Sequence, residues 1–373
     1  MIVNNLKYDE RMRLILNLLF LFFLFIMISC NSSVEPGKNI IPCDQTATCI
    51  NSKYDEWTFL GLGGETVTAI TVHPCNAQVI FVGSARSFSD GREGKIFRSM
   101  DCGEKWDTVW VGGTITRIVV DPSDPDIIYA NPHGVIRSMD GGATWKIIDD
   151  GIHFPSWTKV ITLDIDPKDP QRLYAGTGGT GTGYLYYTDD RGNTWQPVPG
   201  YLDENRTEDD NWLLHNNVIS FAVYPANPRI MYAGTARRNY ILQSTNRGMN
   251  WEKIIETDGT TSTFAFNKNY YIYVFIRDYG LLKNRVDGNI WIEIPVPDSL
   301  IWGEPDGMVF NENDNLILYS GLGIYKYDGA EWLDYTDNLE HRYARGIGIG
   351  KNNHVYVGLG ARPKGGIYIR RIE

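Results

Sequence analysis

The sequence predicts an all-β fold in which seven four-stranded sheets surround an axis and close into a ring, a seven-bladed β-propeller. Three observations carry this expectation. The motif Ser/Thr-x-Asp/Asn-x-Gly-x-x-Trp occurs at Ser99–Trp106, Ser138–Trp145, Thr188–Trp195 and Ser244–Trp251, and self-similarity at this spacing marks a repeat architecture. Each copy follows two short apolar strands, the first of which ends in a proline turn. Finally, Trp57-Thr58-Phe59-Leu60 is a tryptophan strand with no repeat before it, whereas the last repeat stops short of one.

Taken in order, the chain begins with a segment that does not belong to the fold. Lys7, Arg11 and Arg13 precede a nearly unbroken apolar run, Leu14 to Ile28, which ends at Ser29-Cys30. Residues 1–29 are expected to be an export signal, with Met12 as a second possible start. Residues 30–56, polar and rich in Asn, Ser and Thr, are expected to be a flexible tether, and 57–373 the propeller.

The repeating units then follow. Thr68 to Pro74, Ile115 to Pro122, Val160 to Pro167 and Val218 to Pro225 are first strands, followed by Val79 to Gly83, Ile127 to Ala130, Leu173 to Gly176 and Met231 to Gly234. Three degenerate units begin at Thr263, Gly307 and Gly346, two of them ending in Trp291 and Trp332. The seventh lacks its tryptophan strand, so the strand at Trp57 is predicted to complete it, which removes the open sheet edge. In the first strands one face is large (Ile70, Ile118, Leu163, Phe221) and the other mostly small (Ala69, Ser220, Thr263, Gly346), as face-to-face blade packing requires. Arg117 and Asp164 break the small face and are expected in a solvated channel or paired with each other.

Formal net charge is −10, and removing residues 1–29, with three basic and two acidic side chains, makes it −11. An acidic body argues against a nucleic-acid partner. If Cys30 is set aside, Cys43, Cys49, Cys75 and Cys102 remain. Cys43–Cys49 with Cys75–Cys102 is the pairing with the shortest loops, and free thiols are the alternative.

The four motif copies resemble the Asp-box, or BNR, repeats of sialidase-like propellers, over residues 57–373. The resemblance implies that Asp101, Asp140, Asp190 and Asn246 hold hairpin turns and do no chemistry, and that a ligand face lies at the opposite end of the channel. Met27-Ile28-Ser29-Cys30 resembles a lipoprotein lipobox, which implies lipidation at Cys30 and a membrane contact through that lipid alone, at the cell envelope or outer membrane. The sialidase arginine triad and Arg-Ile-Pro signature are absent. Xyloglucan-hydrolysing relatives share the repeat but pair two propellers, while photosystem II assembly factors are single propellers that bind protein.

These implications point to a binding or assembly module for a glycan or envelope protein, expected to be monomeric, with a glycoside hydrolase as the alternative. No catalytic residue is assigned. Candidate ligand residues on the predicted rim loops are Arg237, Arg238, Arg277, Trp302, Glu304, Asp306, His341 and Arg342. No cofactor or metal is expected. The acidic loop 201–215 matches no ligand spacing, the six histidines show none, and Gly176 to Gly181 matches G-x-G-x-x-G but leads into a strand where a phosphate site needs a helix.

Overall fold

The computed structural model describes residues 41, 44, 46–49, 54–154, 158–179, 183–198, 217–236, 239–257, 259–298, 300, 306–360 and 365–373. Their strands form seven antiparallel four-stranded sheets, each a meander. In the seventh, Thr58–Gly61 pairs with Gly366–Arg371, which continues to His354–Leu359 and Ala344–Ile349. The first strand of the chain therefore closes the last blade, as the unpaired tryptophan strand predicted.

A meander fixes the two ends of the ring. Blade-to-blade links and second-to-third-strand loops share one end of the channel, here the rim face. First-to-second and third-to-fourth turns share the other, the turn face. Blades stack through glycines of the second strand. A Cβ on Gly83 would lie 2.6 Å from Ile115 Cγ2, on Gly176 3.2 Å from Val218 Cβ, and on Gly358 2.3 Å from Val67 Cγ1. A side chain is missing on one sheet where a β-branched one enters from the next, so the interface reaches interior packing density.

The motif turns explain their own residue types. Ser138 Oγ donates to Asp140 Oδ1 (2.7 Å) and accepts from Gly142 N (2.8 Å), while Asp140 Oδ1 accepts from Thr144 N (2.8 Å). Equivalent bonds tie Ser99, Asp101 and Gly103, then Thr188, Asp190 and Gly192, then Ser244, Asn246 and Gly248. Gly142 has φ +82°, a left-handed conformation that glycine adopts at little cost.

Asn246 makes the same bonds without a charge, which separates geometry from titration. For Asp140 and Asp190 burial opposes ionisation, but hydrogen bonds from Thr144 and Ser138, and from Thr194 and Thr188, outweigh it and hold the carboxyls below the usual carboxylate range. Their stabilisation is thus present above the unfolded value of 3.8 and lost as pH falls through the lower folded values. An Asp140→Asn, Asp190→Asn double variant is expected to stay folded at pH 7 and to lose less stability between pH 5 and 2 than the parent. Denaturant titrations at both ends of that range check it, and parallel acid slopes would contradict it.

The tryptophans do more than cover their own turns. Trp106 Nε1 donates to Leu60 O (2.9 Å), Trp195 Nε1 to Ile148 O (2.6 Å), Trp332 Nε1 to Pro295 O (2.8 Å) and Trp57 Nε1 to Tyr335 O (2.5 Å). In each case the acceptor lies on or just past the fourth strand of the preceding blade. Buried Asp121 adds an ion pair to Arg191 across the same seam as Trp195, and buried Asp166 pairs with Arg247 across one further seam, both at 3.4 Å.

Two expectations need correction. Among the described residues, packing on the propeller extends N-terminal of residue 57, into the expected tether. Ile41 is buried in the core of blades 1 and 2 and its N–H donates to Asp126 Oδ1 (2.9 Å), and Tyr54 packs on His354 with ring centroids 5.5 Å apart while its carbonyl accepts from Arg371 N (2.7 Å). The described part of the expected tether thus straps across the turn face, because its few apolar residues have core positions to fill. The second correction follows from the first. Cys49 bonds to Cys102 on the motif turn of blade 1 and Cys75 is also disulfide-bonded, so neither Cys43–Cys49 nor Cys75–Cys102 forms. Loop length loses to proximity, since the strap delivers Cys49 to that turn. Cys30 lies outside the described residues.

Candidate functional site at the rim end of the channel

First strands line the channel, and their inner edges carry backbone groups with no further strand to pair with. Side chains meet part of that need. Thr68 Oγ1 donates to Ile115 O (2.6 Å), Thr71 Oγ1 to Ile118 O (2.7 Å), and Asp164 Oδ2 accepts from Val223 N (3.0 Å). Asp164 also accepts from Ile165 N, and burial pushes its carboxyl up to about 6 against these bonds. Asp164 is thus a bridge between blades 3 and 4. Arg117 is exposed to the channel, donating to Thr116 O at 3.3 Å.

At the rim end the channel opens into a cavity of about 200 Å³ lined by Thr68, Thr116, Arg117, Thr263, Asp306 and Tyr319 among others. Tyr319 enters across Gly307, where a Cβ would lie 2.5 Å from its ring. Burial pushes its hydroxyl well above the usual range, with Arg117 and Arg345 pulling down and Asp306 pushing up. Asp306 pairs with Arg345 (3.5 Å), whose guanidinium stacks over Tyr343 at 4.5 Å and donates to its hydroxyl. One guanidinium, one carboxylate and a neutral phenol thus line one opening, and a second guanidinium, that of Arg345, is paired to the carboxylate. The arrangement offers fixed donors and no water-excluded acid–base pair.

Around this mouth the rim face presents aromatic side chains. Phe88 is 88% exposed on the blade 1 rim loop, with Arg86 stacked 5.3 Å from its ring, and Tyr279 and Tyr343 are exposed on the rim loop of blade 5 and the link between blades 6 and 7. Between blades 2 and 3, His133 packs 5.2 Å from Phe154, and burial raises the carboxyl of Asp149, which lies against Gly134.

Of the sequence-predicted rim residues, Asp306 lines the cavity. Arg277 is half-buried at the blade 5 edge of this face. His341 meets Gly360 O through Nε2 (3.0 Å) and accepts from Tyr343 N, which orders the loop beside the mouth. Arg342 is exposed and pairs with Asp334 at 3.7 Å. Arg237, Arg238, Trp302 and Glu304 lie outside the described residues, as does the acidic loop 201–215. Sequence reasoning missed Arg345, Tyr319 and Phe88. Arg345 and Phe88 had a signal, since both sit where a strand begins or a rim loop turns.

No family model matches the chain. Xyloglucanase Xgh74A of Acetivibrio thermocellus is 28% identical over 190 residues, 44% of this chain and 21% of that protein. A xyloglucanase of Hypocrea jecorina is 26% identical over 161 residues, 38% of this chain and 18% of that protein. The chain thus spans about a fifth of the length of these relatives.

Among solved structures, YCF48 from Cyanidioschyzon merolae superposes with a TM-score of 0.61 at 16% identity, covering 85% of this chain and 98% of that one. YCF48 bound to D1 peptide gives 0.61 at 13%, with 88% and 99% covered. The extracellular domain of BT3049 from B. thetaiotaomicron gives 0.62 at 14%, with 85% and 41% covered. At these identities the likeness shows the fold. The chain is a propeller similar in part of its sequence to xyloglucanases and in fold to YCF48 and the BT3049 domain.

Proposed function

We propose that this is a carbohydrate-directed propeller that takes a xyloglucan-type glucan chain across the rim end of its channel. The observation that carries the reading is the meeting of Arg117, Asp306 and Tyr319 in one cavity, with Arg345 paired to Asp306, on a face whose rim loops expose Phe88, Tyr279 and Tyr343. Sugars need both surfaces: aromatic faces for their C–H edges and fixed donors for their hydroxyls. A cavity of about 200 Å³ is too small to bury a polysaccharide. The chain would therefore lie over the mouth with one residue dipping in. Sequence similarity to xyloglucanases supports the ligand class.

Hydrolysis is the second reading, favoured by the activity named for those relatives. A glycosidase needs two carboxyls flanking the bond. Among the described residues the mouth offers Asp306, held by Arg345. Asp164 has both oxygens engaged by backbone N–H groups. These observations of the described residues favour binding as the first reading. Assembly through a peptide, as the YCF48 complex illustrates, draws on fold alone.

We also infer export. The disulfide Cys49–Cys102 suits an oxidising compartment, the apolar run before Cys30 suits a lipidated signal, and no helix among the described residues is long and apolar enough to cross a membrane. Calorimetric titration with a xyloglucan oligosaccharide, alongside a reducing-end assay on the polymer, tests the function. Saturable binding that Phe88→Ala weakens about fivefold or more is expected, without release of reducing ends. Release of reducing ends would establish the second reading, and neither binding nor cleavage would refute both.

A further inference from the structure

The turn face, at the far end of the channel from the mouth, carries a second concavity. A cleft of about 490 Å³ is lined by Tyr224, Phe266, Tyr270 and Phe310, with Asn267 and Lys268 at its edge. The Tyr224 and Phe266 rings lie 5.1 Å apart at 46°. Tyr270 is 57% exposed. Lys268 is the one charged side chain among the described lining residues, and its ammonium donates to Glu312 O (2.7 Å) with two N–H groups to spare.

Tyr270 is out of place by local rules. It occupies the fourth position of a first-to-second-strand turn in which Asn267 N donates to Tyr271 O. The same turn recurs as Asn311 N to Asn315 O and Gly350 N to His354 O. At the equivalent fourth position those turns carry Asp314 (φ 65°) and Asn353 (φ 56°), and Tyr270 has φ 65°. Asn and Asp tolerate this left-handed conformation because their short polar side chains bond locally. A bulky aromatic gains nothing of the kind and is strained there. Strain held at an exposed ring on the wall of a cleft is the pattern of a binding residue.

We propose that this cleft is a second carbohydrate site, taking one neutral hexose unit of a glucan stacked on Tyr270. The ring's C–H face meets the π face, and its hydroxyls meet the Lys268 ammonium and the hydroxyls of Tyr224 and Tyr270. A neutral sugar is proposed because the lining is otherwise uncharged and Lys268 is already engaged by Glu312 O, and a sulfated sugar would find no cluster of cations. The site is independent of the channel mouth and does not rest on the proposed function of that mouth.

The test uses the full chain carrying Phe88→Ala and Arg117→Ala, so that the mouth contributes little. Cellotetraose is titrated by saturation-transfer NMR against this background with and without Tyr270→Asn. The parent background is expected to bind saturably, and Tyr270→Asn to weaken binding at least fivefold while raising the melting temperature by about 2 °C through relief of strain. Undiminished binding in Tyr270→Asn would overturn the proposal. So would absence of saccharide binding in the parent background, or binding there of a decaproline peptide in its place, whatever the mouth does.

Discussion

Replacing Trp57 by alanine is expected to destabilise the protein by about 3–5 kcal/mol, the largest effect of any single substitution considered. Trp57 is 6% exposed, packs in the core shared by blades 6 and 7, and donates to Tyr335 O across the seam. It also precedes the strand Thr58–Gly61 that completes blade 7. Losing the ring leaves a cavity and frees the last hydrogen-bonded strand at the point where the circle joins. Trp57→Phe, which retains most of the apolar volume, should recover all but about 1–2 kcal/mol. Chemical denaturation checks both values. A Trp57→Ala protein within 1 kcal/mol of the parent, on the scale of ordinary surface changes, would mean that closure does not depend on this contact.

Gly358→Val is expected to be the second most damaging change, costing about 3 kcal/mol or more. A Cβ there would meet Val67 Cγ1 at 2.3 Å, Val67 Cβ at 2.6 Å and the Val67 carbonyl oxygen at 2.8 Å. The carbonyl cannot rotate away, so blades 7 and 1 must separate. Gly63→Ala is the matched control, its nearest atom being Phe59 Cζ at 3.6 Å. Thermal melts of the two should differ by several degrees. Equal melting temperatures would show that the blade seam yields more easily than its packing implies.

The ring was legible in the sequence because it rests on local rules, a strand pattern that recurs in all seven blades and a motif turn that recurs in four. The motif turns need a hydroxyl, a carbonyl-type oxygen and a glycine at fixed spacing, and Trp57 without a preceding unit could belong only to an incomplete blade. Arg117 and Asp164 were visible as charges on a small-residue face. Which of them reached solvent was not, since it depends on Val223 of the neighbouring blade supplying an N–H.

The strap was missed because Ile41 and Tyr54 are isolated in a polar stretch, and only the folded turn face offers them a core. The disulfide register failed for the same reason. At the mouth, Tyr319 belongs to a second strand, where apolar alternation hides it. Its hydroxyl reaches the channel only because Gly307 on the paired strand leaves a gap. Tyr270 reads as one more hairpin aromatic until its φ is known.

The central claim is that ligand chemistry lies at the rim end of the channel while the repeated aspartates only hold turns. One comparison tests it directly: calorimetric titration of a xyloglucan oligosaccharide into Arg117→Ala and into Asp140→Asn, each with a melting curve. The account predicts binding at least tenfold weaker in Arg117→Ala with an unchanged melting temperature, and unchanged affinity in Asp140→Asn. Lost affinity in Asp140→Asn with parent-like binding in Arg117→Ala would contradict it.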